Sequence, residues 1–417
     1  IVKFKSMKIT KKQIYLWVKI IIVSVLIAFS LFFGYLFFRF NLATLVTSVL
    51  FILMCGLFLW FLIRIITYAC KTSGAVKEKW YFALSILIIL WLAFELFLRL
   101  AGINKSYSEK VGLYYSSGFI EYDINSKDHQ GLMIHSPYHS YIDKRKEFAY
   151  EMKCNSEGLR DIDHPVKKDS NEFRIICLGN SFTEGIGAPQ DSTWPGLLGK
   201  RIKHISGKKI TVFNAGMSGS DPFFHYALLE KRLLKYQPDL VLLTLGSSDF
   251  EFYRFRGGFE RFTTEGVRFR EAPRLEPLYA LSYIVRLFVN DVFKYKELLS
   301  PSEYKADSIR AKEDTENCIY RFHELSLKKG FTLIVVFIDD TGTGYDSIKS
   351  KLLTENKIRV IDLFQYTKEI EKITPLNHHK YYWPVDGHCR STGYEVMAKG
   401  VLWNLEKMGI IDSLICK

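Results

Sequence analysis

The sequence predicts an α/β protein: a three-layer α/β/α sandwich around a parallel sheet, preceded by three transmembrane helices. Three observations carry this expectation. Before residue 102 there are three apolar runs, at 20–38, 42–63 and 80–98, each close to the ~20 residues that cross a bilayer as a helix. From about residue 171, short apolar runs alternate with helical stretches, the pattern of a parallel sheet covered on both faces. The charge divides along the same line. Of the 57 Lys/Arg and 44 Asp/Glu, residues 1–112 hold 14 and 3, and the rest of the chain holds 43 and 41. The excess behind the net charge of +13 therefore flanks the apolar runs, where membrane topology places it, and nucleic acid is not the expected partner. A chain that is 48% hydrophobic and 24% charged is also outside the disordered class.

Taken in order, the apolar runs are expected as helices at about 14–38, 42–66 and 80–100, within an N-terminal membrane region 1–102. The first is too long for the apolar part of a cleaved signal peptide, and the second follows almost at once. The N-terminal tail carries Lys3, Lys5, Lys8, Lys11 and Lys12, the first loop only Arg39, and the second loop Lys71, Lys77 and Lys79. With positive ends inside, everything after residue 102 lies outside. The expectation is an integral protein of the cell (inner) membrane, with the bilayer as partner and an extracytoplasmic C-terminal domain. Few polar residues interrupt the spans, so a transporter or sensor role for the helices has little to support it. Glu95 and Arg99, four residues apart near the end of the third run, read as an interfacial pair rather than a catalytic one.

Residues 103–170, polar and Tyr-rich, are expected to form an extracytoplasmic stalk, and 171–417 the folded domain. Strands are expected at 173–178, 210–214, 240–245, 331–338 and 359–363, and helices at 194–205, 223–236, 314–329 and 392–407. An insertion at 250–301, dense in aromatics and arginines, reads either as a lid or as a helical subdomain with a solvated basic face. Seven cysteines without C-x-x-C spacing give no support to zinc or thioredoxin-like chemistry and leave disulfides undetermined.

The chemistry is carried by four short segments. The first expected strand ends in Gly179-Asn180-Ser181-Phe182-Thr183, which puts Ser181 at the start of a helix, where free N–H groups and the dipole favour a developing anion. Taken singly, such a serine is equally well an N-cap. A serine hydroxyl needs a base and a group to orient that base. Trp383-Pro384-Val385-Asp386-Gly387-His388 supplies candidates: Asp386 to fix the imidazole tautomer and His388 to take the Ser181 proton, in a turn feeding a last helix that Ser391 or Thr392 could cap. After the second and third strands come Gly216-Met217-Ser218-Gly219 and Gly246-Ser247-Ser248-Asp249, on the same rim. There, Gly219 N–H and the Ser248 side chain are candidate oxyanion donors.

In this order, the four segments resemble the SGNH, or GDSL-type, hydrolases over about residues 171–408. Gly179 to Thr183 is similar to the first block, Gly219 falls on the block-two glycine, and Asp386 and His388 fall on the last block, followed by Gly393. Pro238-Asp239-Leu240-Val241 before the third strand fits as well. Asn155 to Arg160 resembles a segment that precedes the domain in membrane-anchored members, which also often carry a Glu…Arg pair like Glu95 and Arg99. The resemblance implies a flavodoxin-like sheet, Ser181 as nucleophile, an ester hydrolase or O-acyltransferase without metal or organic cofactor, and, with the topology, ester-linked acyl groups of envelope glycans or lipids as substrates. Two positions depart from the pattern. Asn180 stands where Asp is usual, and Ser248 where an Asn normally donates to the oxyanion. Outright loss of one such donor costs on the order of 10²–10³ in turnover. A catalytically degenerate domain that binds glycan or scaffolds an envelope assembly is therefore the second reading. Ser248 favours it; Ser181, Asp386 and His388 oppose it.

Overall fold

A computed structural model describes residues 90–101, 134–205, 209–263, 266–267, 270, 273, 275–296, 298–338, 344–355 and 357–415. The first two expected membrane helices, and residues 80–89 of the third, lie outside these residues. Among the described residues no helix is long and apolar enough to cross a membrane.

The chain divides into two compact units. The described part of the smaller one is the helix at 90–100 with residues 282–284. Glu95 receives Arg99 Nε at 3.0 Å, and it also accepts from Ser282 Oγ (2.8 Å) and from the N–H groups of Tyr283 (2.7 Å) and Ile284 (3.1 Å). The pair expected from the i,i+4 spacing is thus one part of a larger knot around a single carboxylate.

The larger unit begins with an antiparallel hairpin, β1 (Ser140–Lys144) and β2 (Ala149–Lys153). Its main sheet contains β3 (Glu172–Gly179), β4 (Lys209–Gly216), β5 (Leu240–Leu245), β8 (Thr332–Phe337) and β9 (Arg359–Asp362), in the order β4-β3-β5-β8-β9 and parallel throughout. A two-residue ribbon, β6 (Phe262–Thr263) and β7 (Gly266–Val267), lies in the insertion. Successive side chains of a strand point to opposite faces, and here both faces are dry. Ile176 and Leu178 of β3, Val241 and Leu243 of β5, and Val335 of β8 pack into one core, with helices Pro222–Leu228 and Pro301–Lys329. Ile175, Cys177, Leu240, Leu242 and Ile334 pack into the other, with helices Trp194–Ile205 and Ser391–Lys407. The three layers follow from these two cores.

The differences from expectation have local causes. The helix expected at 314–329 begins at Pro301, where Ser300 and Glu303 form a capping box. Its buried residues run from Ala311 to Ser326, so the first three turns hold no buried residue whose spacing would mark a helix face. The insertion is not a solvated basic face: Arg256 and Arg261 are buried against Asp221, with Phe252, Tyr253 and Phe255 buried beside them. The last helix is entered through Arg390 with no side-chain cap; Thr392 Oγ1 instead bonds the Lys380 carbonyl. Cys154, Cys177, Cys318 and Cys389 are buried, and among the described residues no disulfide is formed.

Candidate active site

In the order β4-β3-β5 the chain leaves β3 to one side and returns on the other, so the carboxyl end of β3 is the topological switch point where ligands of such sheets bind. Ser181 follows β3 there. A Cβ at Gly179 would stand 2.2 Å from Thr183 Oγ1, and one at Gly216 would stand 2.1 Å from Glu184 N. Both glycines thus let the turn after β3 close down on the strand ends. The helix it starts, Ser181–Glu184, is a single turn ended by Gly185 in the left-handed conformation. So short a helix contributes little macrodipole, which corrects the expectation of a dipole-assisted nucleophile and leaves the local N–H as the donor.

Ser181 and the Trp383–His388 turn, more than two hundred residues apart, meet. Ser181 Oγ lies 2.8 Å from His388 Nε2, and His388 Nδ1 lies 2.5 Å from Asp386 Oδ1. The turn itself is closed by Trp383 N–H to His388 O (2.8 Å) and Gly387 N–H to Trp383 O (2.8 Å). Burial pushes the Asp386 carboxyl up, but hydrogen bonds from His388 and Arg145 outweigh it and hold it below the ordinary carboxylate value.

Gly219 and Ser248 stand on the same rim, after β4 and β5. The Gly219 turn is tied to the nucleophile turn by Glu184, whose Oε2 accepts from Ser218 N–H (2.8 Å) and from the Ser218 hydroxyl. Met217 N–H also donates to Gly179 O at 2.9 Å. Among the described residues, neither Ser181 N–H nor Gly219 N–H is engaged by a hydrogen bond. Ser248 Oγ accepts from Asn180 Nδ2 at 3.3 Å, while Asn180 Oδ1 caps the turn by accepting from Phe182 N–H at 3.1 Å. The two positions that depart from the family pattern therefore touch each other.

Several residues at the site were not singled out from the sequence, and most lie in the expected stalk. Residues 134–170 are part of the larger unit. Arg145 Nη1 donates to Asp386 Oδ2 at 2.9 Å, and Glu147 Oε2 accepts from the N–H groups of Val385 (2.9 Å) and Asp386 (2.8 Å). Phe148, Tyr150 and Met152 form a small core with Ile186, against which Trp383 packs. Arg160, which the sequence reading named only as the end of the Asn155 to Arg160 segment, is fully buried and donates to the carbonyls of Glu184, Gly185 and Ala188, which fixes the segment after Ser181. His135 Nε2 lies 2.7 Å from Glu184 Oε1. The signal available was the period of two at Phe148, Tyr150 and Met152, which marks a half-buried strand.

No protein-family model matches the chain. An arylesterase from Vibrio mimicus is 34% identical over 76 residues, 18% of this chain and 38% of that protein, so the chain spans under two fifths of this relative's length. Among solved structures, the lipase/acylhydrolase from Enterococcus faecalis is 16% identical, with 57% of this chain and 96% of that one covered at a TM-score of 0.33. A two-domain esterase active on acetylated mannans is 14% identical, with 57% and 50% covered at a TM-score of 0.36. Scores this low decide nothing about the fold, which rests on the sheet order and register described above.

Proposed function

We propose that this protein is a membrane-anchored serine ester hydrolase of the SGNH type. The observation that carries the reading is the hydrogen-bonded chain Asp386–His388–Ser181, with links of 2.5 and 2.8 Å. The partial likeness to an arylesterase agrees with it. Ser181 Oγ attacks the ester carbonyl carbon as His388 Nε2 takes its proton, while the Nδ1–H bond to Asp386 holds the tautomer that leaves Nε2 basic. Ser181 N–H and Gly219 N–H hold the oxyanion, with the Ser248 hydroxyl as third donor. Collapse of the tetrahedral intermediate expels the alcohol, which takes its proton from His388 and leaves the acyl group on Ser181. Water, deprotonated by His388, then attacks the acyl carbonyl; the bond to Ser181 Oγ breaks as Oγ takes that proton back from His388, and the acid leaves. A sugar hydroxyl in place of that water turns the same steps into O-acyl transfer.

The three apolar runs and the lysine distribution support an anchor with the larger unit outside the cell membrane. Ester-linked acyl groups, O-acetyl among them, on envelope glycans or lipids are then the accessible substrates. The second reading, a non-catalytic glycan binder or scaffold, is favoured by Ser248 standing in place of an amide. Turnover of p-nitrophenyl acetate by the full chain in detergent separates the two. Hydrolysis that falls by at least about 10³-fold in Ser181→Ala supports the enzyme. A silent wild type that binds O-acetylated glycan as well as Ser181→Ala does supports the binder.

A further inference from the structure

A second concavity lies on the flank of the catalytic turn, with a cavity volume of about 530 Å³, within the usual range of about 300–1,000 Å³ for small-molecule sites. Phe148 and Trp383 are among its walls, with Lys380, Arg390, Ser391 and Thr392 as polar lining. Trp383 joins it to the active site, since its N–H bonds the carbonyl of His388 and its indole Nε1 donates to Gly187 O at 2.9 Å. The charge of this pocket has one sign. Two cations line it and, among the described residues, no Asp or Glu does.

Arg390 is held for use. Its guanidinium carbon stands over the Trp383 ring, 3.8 Å from the centroid, and Nε is spent on Tyr382 O at 3.3 Å. Its two terminal nitrogens are engaged by no acceptor among the described residues, and neither is Lys380 Nζ. A guanidinium held over a ring with its fork free presents two donors to a planar or tetrahedral oxyanion, and the ring contact with the Nε bond has already restricted its rotamers. The apolar walls add contact for the ring or chain that carries the anion.

We propose that this pocket binds an oxyanion, carboxylate or phosphate, borne by the molecule whose ester is cleaved at Ser181, so that the preferred substrates are acidic envelope glycans or lipids. Only the assignment of the anion to the substrate rests on the esterase reading; anion binding itself does not.

Calorimetric titration of the full chain in detergent keeps the two apart, because it reads binding without turnover. The probes are D-glucuronate and inorganic phosphate, with D-glucose as the neutral control. Wild type and Ser181→Ala are expected to bind at least one of the two anions with equal affinity and to bind glucose far more weakly. Lys380→Gln is expected to weaken anion binding several-fold, and Lys380→Gln with Arg390→Gln by about tenfold or more, the loss of a charge-assisted hydrogen bond. Glucuronate alone binding points to a uronic-acid source, and phosphate alone to a phosphodiester or lipid headgroup. Binding of neither anion by wild type overturns the proposal. So does anion affinity unchanged in both variants, the single Lys380→Gln change leaving the Trp383 contact intact.

Discussion

Ser181 is placed by the strand before it, but whether it works depends on hydrogen atoms at Asn180 and Ser248. Asn180 uses its carbonyl to cap the turn and its amide to donate to Ser248 Oγ. A hydroxyl that already accepts a bond has its own proton to give elsewhere, so Ser248 is left able to donate to an oxyanion. An Asp at 180 would cap equally well but could only accept from Ser248, drawing that proton away. Asn180→Asp is therefore expected to lower kcat on p-nitrophenyl acetate toward the loss seen in Ser248→Ala, up to about 10²-fold, with a thermal midpoint close to wild type. An Asn180→Asp enzyme as fast as wild type would remove Ser248 from the oxyanion site. The triad residues were legible one by one because each sits in a short motif. The Asn180–Ser248 contact was not, since each reads from sequence as an isolated departure and only the strand order β3-β5 brings them together.

At the scale of elements, the hairpin β1–β2 is what the linear reading missed. Its turn reaches the catalytic loop across 241 residues of sequence, and no local pattern signals a bond of that range. Arg145 and Glu147 hold the Asp386 carboxyl and the backbone beneath it from two sides. Ionised Asp386 is the competent form, and Arg145 helps to keep its carboxyl below the ordinary value, after the larger contribution of His388 against burial. Removing Arg145 lets the carboxyl titrate at higher pH. In Arg145→Gln, activity is expected to disappear at a higher pH on acidification than in wild type, with kcat at neutral pH lower by about tenfold. A pH–rate profile measures both, and an acid limb that does not move would make the Arg145 contact merely structural. The central strands β5 and β8 and the run Ile175–Leu178 of β3 were legible because each is apolar on both faces. The first turns of helix Pro301–Lys329 were not, because none of their residues is fully buried.

His225 is fully buried, its Nε2 2.7 Å from Ser220 Oγ, and burial lowers its pKa from 6.5 to about 3. An unfolded chain binds a proton at this position below pH 6.5 that the folded chain refuses until about pH 3. Stability is therefore lost as pH falls through that window. Urea midpoints should drop between pH 6.5 and 4.5 in wild type and drop less steeply in His225→Gln; parallel slopes would contradict the assignment. For placement, Leu376 is 90% exposed and the four described cysteines are buried. In intact cells, a membrane-impermeant thiol reagent should label Leu376→Cys above the wild-type background if the larger unit faces outward. Labelling only after lysis would reverse the topology. The membrane region was read from charge and hydropathy, which act over whole segments, and these remain the basis for that proposal.

Ser181 as a nucleophile activated by His388 is accessible to covalent mapping. The full-length protein in detergent is treated with a serine-directed fluorophosphonate, digested, and analysed by mass spectrometry, alongside His388→Ala. One adduct on Ser181 in wild type, with its rate of formation reduced by at least about 10³-fold in His388→Ala, is the predicted result. An unmodified Ser181 in wild type, or labelling of Ser181 that proceeds as fast without His388, would contradict it.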